Sequence, residues 1–183
     1  MFKYDIDDSS YLTLLDIKDS EMLFNLINRN REHIGEWLKF PSFTLQEEDS
    51  KRFIESTRMR YAKNEGYWLG IWTQNKLAGS IGFPYIDHEN KKTEIGYWLG
   101  GEFVGNGLIT KSIKILIEHA FQNLEMNKIE IGAAPGNVRS RAIPEKLGFH
   151  REGEIRDYEF INGRFLDRII YGLKADEWKL QGG

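Results

Sequence analysis

A glycine-rich turn before an amphipathic helix is the stretch of this sequence best suited to hold a charged ligand. Four glycines lie close together in it: Gly100, Gly101, Gly105 and Gly107. Glycine allows close approach to the backbone, and free N–H groups at the start of a helix attract anions. The expected chemistry is binding of a phosphate or pyrophosphate. The alternative is a turn that connects a strand to a helix and binds nothing.

Composition excludes several other kinds of chemistry. The chain has 183 residues, of which 40% are hydrophobic and 29% charged, as is typical of one soluble globular domain with a sizeable core. A net charge of -3 argues against non-specific binding of nucleic acid. The lack of cysteine excludes disulfides, thiolate metal sites and a cysteine nucleophile, and it is compatible with a reducing cytoplasm.

The sequence also shows no pattern typical of export, membrane insertion or metal binding. The N-terminal residues lack the apolar segment of a signal peptide, and no apolar run is long enough to span a bilayer. We therefore expect a cytoplasmic protein without a membrane partner. We expect no metal ion, because none of the histidines has metal-ligand spacing. They are His33, His88, His150 and His119, the last expected on the surface of the long helix.

The N-terminal part of the chain is predicted to be mostly helical. A short strand is expected from Tyr11 to Leu15, and a helix from Ile17 to Ile27. Thr44 and Glu47 have the spacing of a capping box, which predicts that a second long helix begins there. Three side chains of this helix are expected to face inward: Phe53, Ile54 and Tyr61.

The middle of the chain changes to the patterns of strands. Tyr67 to Trp72, Leu77 to Phe83 and Glu94 to Leu99 are predicted to form an antiparallel meander. After the glycine turn and its helix, Lys128 to Ala133 is predicted as another strand. A strand, a crossover helix and a second strand indicate a parallel pair.

The C-terminal part is predicted to contain a short helix and a hairpin. Asn137 can cap the helix, while Pro144 within it predicts a kink or a late start. Asn162 and Gly163 are typical of a tight turn between two strands. The predicted fold is one α+β domain over residues 1–183, with a mixed, mostly antiparallel sheet of about seven strands flanked by helices.

Three stretches resemble the GNAT superfamily of N-acetyltransferases, and more narrowly its ribosomal-protein N-terminal acetyltransferase branch. They are EIGYWLGGEFVGNGLIT, NVRSRAIPEKLGF and INGRFLDRIIYGL. The resemblance extends over nearly the whole chain. It implies acetyl-CoA as donor, a primary amine as acceptor, and two parallel strands that splay apart to admit the pantetheine arm.

The resemblance assigns the glycine turn to the pyrophosphate of CoA. The family loop has the form Gln/Arg-x-x-Gly-x-Gly/Ala, and here it reads EFVGNG, with Glu102 in place of the basic residue. An acid would repel phosphate, so the backbone N–H groups from Val104 to Leu108 are the expected cradle. The residues expected to bind CoA here are Val104, Gly105, Asn106, Gly107 and Leu108, and on the strand Tyr97, Trp98 and Leu99, whose backbone would pair with the pantetheine amides.

The resemblance also suggests groups for proton transfer. Glu94 lies on the strand that carries the base in some family members, and Glu102 lies one position after the glutamate proposed in the ribosomal branch. Either is a candidate base, and either could instead be a solvated carboxylate. Ser140 is the expected general acid for the leaving thiolate, with Asn137 as a CoA contact. Both could instead serve only to cap the helix.

The predicted function is therefore acetyl transfer from acetyl-CoA to an amine, with the N-terminal amine of a ribosomal protein as the expected acceptor. A polyamine or aminoglycoside acetyltransferase is the alternative enzyme, and a non-catalytic acyl-CoA-binding module is the alternative of another class. The family further implies a homodimer. Three aromatic residues lie where the family builds its acceptor groove, but ordinary core packing explains them equally well: Trp37, Phe40 and Phe43.

Overall fold

The computed structural model describes residues 3–180 and 182, and its strands form two five-stranded sheets. The first sheet has the order β1-β2-β3-β4-β7 and the second the order β5-β6-β8-β10-β9. Only β6 and β8 pair in parallel within the described residues, and all the other pairs are antiparallel. The strands are β1 Lys3–Asp7, β2 Ser10–Leu14, β3 Tyr67–Thr73, β4 Lys76–Phe83, β5 Ile86–Asp87, β6 Lys92–Glu94, β7 Gly96–Leu99, β8 Lys128–Ala133, β9 His150–Ile161 and β10 Arg164–Lys174.

Six α-helices cover the sheets and the ends of the strands. They are α1 Ser20–Arg29, α2 Arg31–Gly35, α3 Glu47–Ala62, α4 Leu108–Gln122, α5 Val138–Lys146 and α6 Ala175–Leu180. Short 3-10 turns occupy Ile17–Asp19, Phe40–Ser42 and Gly101–Phe103. No helix of the described part of the chain is long and apolar enough to cross a membrane.

The predicted α+β class is confirmed, and so is the antiparallel meander of β3, β4 and β7. The predicted number of strands, about seven, was too low, because the described residues form ten. The edge strand β1 was not predicted, since its sequence KYDID is polar and only partly buried.

The strand predicted from Glu94 to Leu99 is divided between the two sheets. Lys92–Glu94 pairs with β8, whereas Gly96–Leu99 pairs with β4. The N–H group of Ile95 still donates to the Glu130 carbonyl at 2.9 Å, and beyond this bond the paths of β7 and β8 separate. The predicted splayed parallel pair is therefore present, with its opening after Ile95.

Helix α4 supplies much of the core beneath this opening. Its apolar residues recur at helical spacing, so one face packs against the sheets. The fully buried positions of that face are Ile113, Leu116, Ile117 and Ala120. His119 is not on the surface as predicted. It is half-buried, and its Nδ1 lies 2.7 Å from the Tyr4 hydroxyl.

Helix α3 begins differently from the prediction. Gln46 and Asp49 form the capping box, while the Thr44 hydroxyl donates to the Phe40 carbonyl at 2.9 Å. The capping signal was therefore assigned two residues too early. Of the three side chains expected to face inward, Ile54 is fully buried, but Phe53 and Tyr61 are partly exposed.

Candidate active site

The separation of β7 from β8 opens a cavity of about 1600 Å³. Its walls include Glu94 to Leu99 on one side and Gly132 to Ala134 on the other. The start of α4 and aromatic residues of the α2–α3 region also line it. Both sheets therefore contribute to its wall.

The glycine turn has a backbone conformation that requires glycine. Gly105 and Gly107 have φ angles of 95° and 70°, in the left-handed region that other residues rarely adopt. A Cβ built on either residue meets no atom within 4 Å, so there is open space beside the turn. Gly107 is the N-cap of α4, and its carbonyl accepts from Lys111 N–H at 3.1 Å. The N–H groups that come before that of Lys111 lack helical partners and can face an anion.

Fewer residues of the glycine turn can offer N–H groups to a ligand in the cavity than the sequence suggested. Val104 N–H donates to the Gly101 carbonyl at 3.4 Å, so it is already used within the 3-10 turn. Val104 contributes its partly exposed side chain to the cavity wall instead. Asn106 is not among the residues that line the cavity, whereas Gly105, Gly107 and Leu108 are.

Strand β7 presents an open edge to the cavity. On one side Tyr97, Trp98 and Leu99 pair with β4. On the other side β8 has already diverged, and from Ile131 onward it pairs only with β10. An extended ligand with amide groups could add to the β7 edge as another strand would.

The side chains of Tyr97 and Trp98 point to opposite faces, as alternation along a strand predicts. Tyr97 packs with the main core and α5. Trp98 packs with the smaller cluster beneath α1, and its ring lies 5.5 Å from that of Phe40. Both line the cavity.

Ser140 and Asn137 lie together on the cavity wall at the start of α5. The Asn137 side chain accepts Ser140 N–H at 3.2 Å, so Asn137 does cap the helix. The Ser140 hydroxyl donates to the Tyr97 hydroxyl at 3.2 Å, and the Tyr97 hydroxyl donates to the Ser140 carbonyl at 3.0 Å. Burial raises the pKa of Tyr97 to about 12, which keeps this hydroxyl protonated at neutral pH.

Glu94 also faces the cavity and is paired with Arg168 of β10. Gly132 allows this pairing, because a Cβ there would collide with the Arg168 guanidinium. The guanidinium also lies over the Tyr158 ring, 4.6 Å from its centre. Burial raises the pKa of Glu94, and the opposing effect of Arg168 does not cancel it. A carboxylate held in this way is suited to accept a proton.

Glu102 has a different environment. It is not among the residues that line the cavity, and its side chain is 42% exposed. Arg29 Nε donates to it at 2.8 Å. Partial burial acts to raise the pKa of Glu102, but the charge and hydrogen bond of Arg29, a hydrogen bond from Asn30 and one from its own backbone N–H together outweigh this and lower the pKa. The structure therefore distinguishes the two candidate bases, because Glu94 lines the cavity and Glu102 does not.

Aromatic rings also line the cavity. Three of them are the residues for which the sequence left ordinary core packing open, and two were not singled out: Trp37, Phe40, Phe43, Phe53 and Trp68. Sequence reasoning missed Phe53 and Trp68 because their spacing fits core packing equally well. It also missed Arg168, because β10 contains other charged residues, among them the adjacent Asp167, and nothing local distinguishes Arg168 from them. Within residues 3–180 and 182, no cluster of three or more His, Asp or Glu residues could hold a metal ion.

Known proteins have similar sequences over most of the length of this chain. The chain is 38% identical to YdaF of Bacillus subtilis over 180 residues, which is 98% of each chain. It is 30% identical over 154 residues to the ribosomal-protein-serine acetyltransferase of Escherichia coli, with 84% of this chain and 86% of that protein covered.

Solved structures share the fold. Microcin C7 self-immunity acetyltransferase MccE, in complex with acetyl-CoA and AMP, is 32% identical with a TM-score of 0.88, covering 93% of this chain and 94% of that one. The ribosomal L7/L12 α-N-protein acetyltransferase RimL, in complex with coenzyme A, has a TM-score of 0.92 at 23% identity, covering 96% and 99%, and supports the fold alone.

Residues 11–150 match the family model described as an acetyltransferase (GNAT) domain. This match includes the glycine turn, both strands of the splayed pair and α5. It favours an enzyme over a non-catalytic acyl-CoA-binding module, which was the alternative of another class. The chain therefore belongs to the GNAT acetyltransferase family, whose reaction is the transfer of an acetyl group to an amine.

Proposed function

We propose that this protein transfers the acetyl group of acetyl-CoA to the N-terminal α-amine of a protein, with a ribosomal protein as the first candidate. The observation that carries the proposal is the cavity itself. The glycine turn, Glu94 and Ser140 all line it, together with a group of aromatic residues that we call the aromatic mouth: Trp37, Phe40, Phe43, Phe53 and Trp68. The E. coli relative named as a ribosomal-protein-serine acetyltransferase supports the choice of acceptor.

The donor would bind at the end of the cavity formed by backbone groups. The N–H groups of the glycine turn and the first turn of α4 suit a pyrophosphate, and the helix dipole favours its negative charge. The open edge of β7 suits the amides of the pantetheine arm. In this proposal the thioester lies near Glu94 and Ser140, a choice supported by the fact that both line the same cavity.

Glu94 is the proposed base. An α-amine has a pKa of about 8 and a lysine side chain about 10.4, so deprotonation at pH 7 costs about 1 kcal/mol for the former and about 5 kcal/mol for the latter. A single carboxylate, acting directly or through water, is sufficient for an α-amine. Arg168 keeps this carboxylate in place by direct hydrogen bonding.

Ser140 is the proposed proton donor to the leaving thiolate. A thiol of this type has a pKa of about 8.5, so protonation assists its departure but is not essential. The Ser140 hydroxyl is held by Tyr97 on the cavity wall. Loss of Ser140 should therefore slow the reaction moderately without preventing donor binding.

A small amine attached to a planar ring is the second candidate acceptor. MccE, at 32% identity, binds AMP together with acetyl-CoA. The aromatic rings at the mouth of the present cavity, among them Trp37 and Phe40, could stack on a heterocycle. A polyamine is less favoured, because the carboxylates of the cavity wall are accompanied by basic side chains: Lys39, Arg52, Arg139 and Arg168.

The test is release of free CoA thiol from acetyl-CoA in the presence of different acceptors. The panel contains peptides with the N-terminal sequences of ribosomal proteins, an aminoacyl-nucleotide analogue, spermidine and an aminoglycoside. Turnover with a peptide supports the proposal. Turnover with only the nucleotide analogue, or with only spermidine or the aminoglycoside, would replace it with a small-molecule acceptor.

Assembly and location remain predictions. We expect a homodimer, as the family resemblance implies, and a cytoplasmic location, as the composition and sequence patterns indicate. Sedimentation velocity on the purified chain would measure the first, and fractionation of the native cells the second.

A further inference from the structure

Tyr97 and Ser140 are joined by two hydrogen bonds that connect the two sides of the cavity. Tyr97 belongs to β7 in the first sheet, while Ser140 begins α5, which packs against β8 and β9 of the second. One bond has the Ser140 hydroxyl as donor, at 3.2 Å, and the other has the Ser140 backbone carbonyl as acceptor, at 3.0 Å. The second bond is unusual, because a carbonyl within an α-helix normally accepts from the backbone four residues later.

The residue four positions after Ser140 is Pro144, which is buried. Proline has no N–H group, and its ring crowds the carbonyl of the residue four positions before it. The Ser140 carbonyl therefore lacks its usual helical donor, and a part-buried acceptor without a partner would cost free energy. The Tyr97 hydroxyl takes the place of the missing N–H group. Helix α5 begins at Val138, directly after Asn137, so Pro144 does not delay its start and lies in its last turn.

We propose that Pro144 and Tyr97 act together as positioning residues for Ser140. Pro144 leaves the Ser140 carbonyl available, the Tyr97 hydroxyl binds it, and the same hydroxyl then holds the Ser140 side chain. Because Tyr97 lies on the strand proposed to bind the pantetheine arm, one strand sets the position of both the thioester and the proton donor. The inference rests on the role proposed for Ser140 and extends it to two residues that need not touch the acceptor.

Kinetics test the consequence of this arrangement. Tyr97→Phe and Pro144→Ala should each lower kcat about 10-fold, because the serine hydroxyl loses its fixed position. The KM for acetyl-CoA should stay within about twofold, since the backbone of β7 is retained. Tyr171→Phe is the matched control: its hydroxyl also bonds α5, donating to Glu145 at 2.7 Å, but does not contact Ser140. It should lower stability and leave kcat unchanged.

Thermal unfolding tests, without a measurement of activity, whether the Ser140 carbonyl can exchange the Tyr97 hydroxyl for a backbone N–H group. In the Tyr97→Phe background, Pro144→Ala supplies an N–H group to an orphaned carbonyl. In the wild-type background that carbonyl is already bonded. The change in Tm caused by Pro144→Ala should therefore be more favourable by about 3 °C in the Tyr97→Phe background. Additive changes in Tm would overturn the inference.

Failure of the inference can be distinguished from failure of the proposed function. If Ser140→Ala lowers kcat while Tyr97→Phe does not, the function stands and the positioning role is wrong. If Ser140→Ala keeps full kcat, Ser140 is not the proton donor and the positioning of a donor is overturned with it. If no amine supports turnover, the proposed function fails, and coupling of the two Tm changes alone decides whether Pro144 and Tyr97 share the carbonyl.

Discussion

The proposed donor end and the proposed acceptor end of the cavity are built from different parts of the polypeptide. At the proposed donor end the candidate groups are backbone N–H and C=O groups, presented by the glycine turn and the open edge of β7. At the proposed acceptor end they are aromatic side chains from the segment between α2 and α3, from α3 and from β3. A backbone site requires particular conformations, whereas a site made of side chains can change without altering the fold. The donor should therefore be the same throughout this family, and the acceptor should vary.

The largest expected effect comes from a side chain within the glycine turn. Gly107→Val places a β-branched residue at a φ of 70° and a methyl-bearing carbon in the space proposed for pyrophosphate. We expect the Kd for CoA, measured by isothermal titration calorimetry, to rise about 100-fold, which corresponds to about 2.7 kcal/mol.

Gly163→Val provides a control with the same backbone strain. Gly163 has a φ of 75° at the hairpin turn, and its Cβ would also meet no atom within 4 Å. This variant should lose stability but bind CoA normally. Equal losses of CoA affinity in both variants would show that strain, and not the cradle, is responsible.

The second-largest effect is expected from loss of the proposed base. Glu94→Gln should lower kcat/KM about 100-fold at pH 7, as loss of a general base does, while Glu102→Gln should lower it less than twofold. The two glutamates provide a matched pair, because only Glu94 faces the cavity. A greater loss in Glu102→Gln would exchange their roles.

The pH dependence gives the same comparison independently. Burial raises the pKa of Glu94 above that of an ordinary glutamate, which is about 4.3. The acidic limb of the kcat/KM profile should therefore have its midpoint above that pH. Activity should fall as the pH decreases through this raised pKa, because a protonated carboxyl cannot accept a proton. In Glu94→Gln this limb should disappear. A limb unchanged by the substitution would exclude Glu94 as its source.

Ser140→Ala should have an intermediate effect. We expect kcat to fall about 10-fold, because thiolate departure is assisted by a proton but does not require it. The Kd for CoA should change less than twofold, since the wall of the cavity remains. Loss of CoA affinity with unchanged kcat would make Ser140 a binding residue only.

The smallest effect is expected at the aromatic mouth. Phe43 is 60% exposed and lines the cavity, so Phe43→Ala should raise the KM for the acceptor about threefold and leave the KM for acetyl-CoA unchanged. Met59 is equally exposed but does not line the cavity, and Met59→Ala should change neither constant. A raised KM for acetyl-CoA in Phe43→Ala would show that the two ends are not separate.

The contrast between a site made of backbone groups and one made of side chains also explains how much of the structure the sequence could predict. The glycine turn was located because positive φ angles and free N–H groups require glycine at particular positions. The splayed strands were expected only through the family resemblance, and the break at Ile95 leaves no mark in the alternation of side chains. The pairing of Glu94 with Arg168 joins residues 74 positions apart. No local pattern predicts such a contact.

The acceptor end was less predictable for a physical reason. Phe53 and Trp68 are apolar residues at spacings that suit a core, and only the tertiary fold decides whether an aromatic ring meets another side chain or a cavity. The capping box was assigned to Thr44 instead of Gln46, because both have an acidic residue three positions later. Similarly, His119 was expected at the surface because helical spacing alone does not reveal that β1 covers it.

The most direct test of the account compares two peptides that differ only at the amine. One has the N-terminal sequence of a ribosomal protein with a free α-amine and an internal lysine. The other has the same sequence with its α-amine blocked. The account predicts release of CoA thiol with the first peptide and none above background with the second. Equal release with both peptides would contradict it, because the lysine side chain would then be the acceptor.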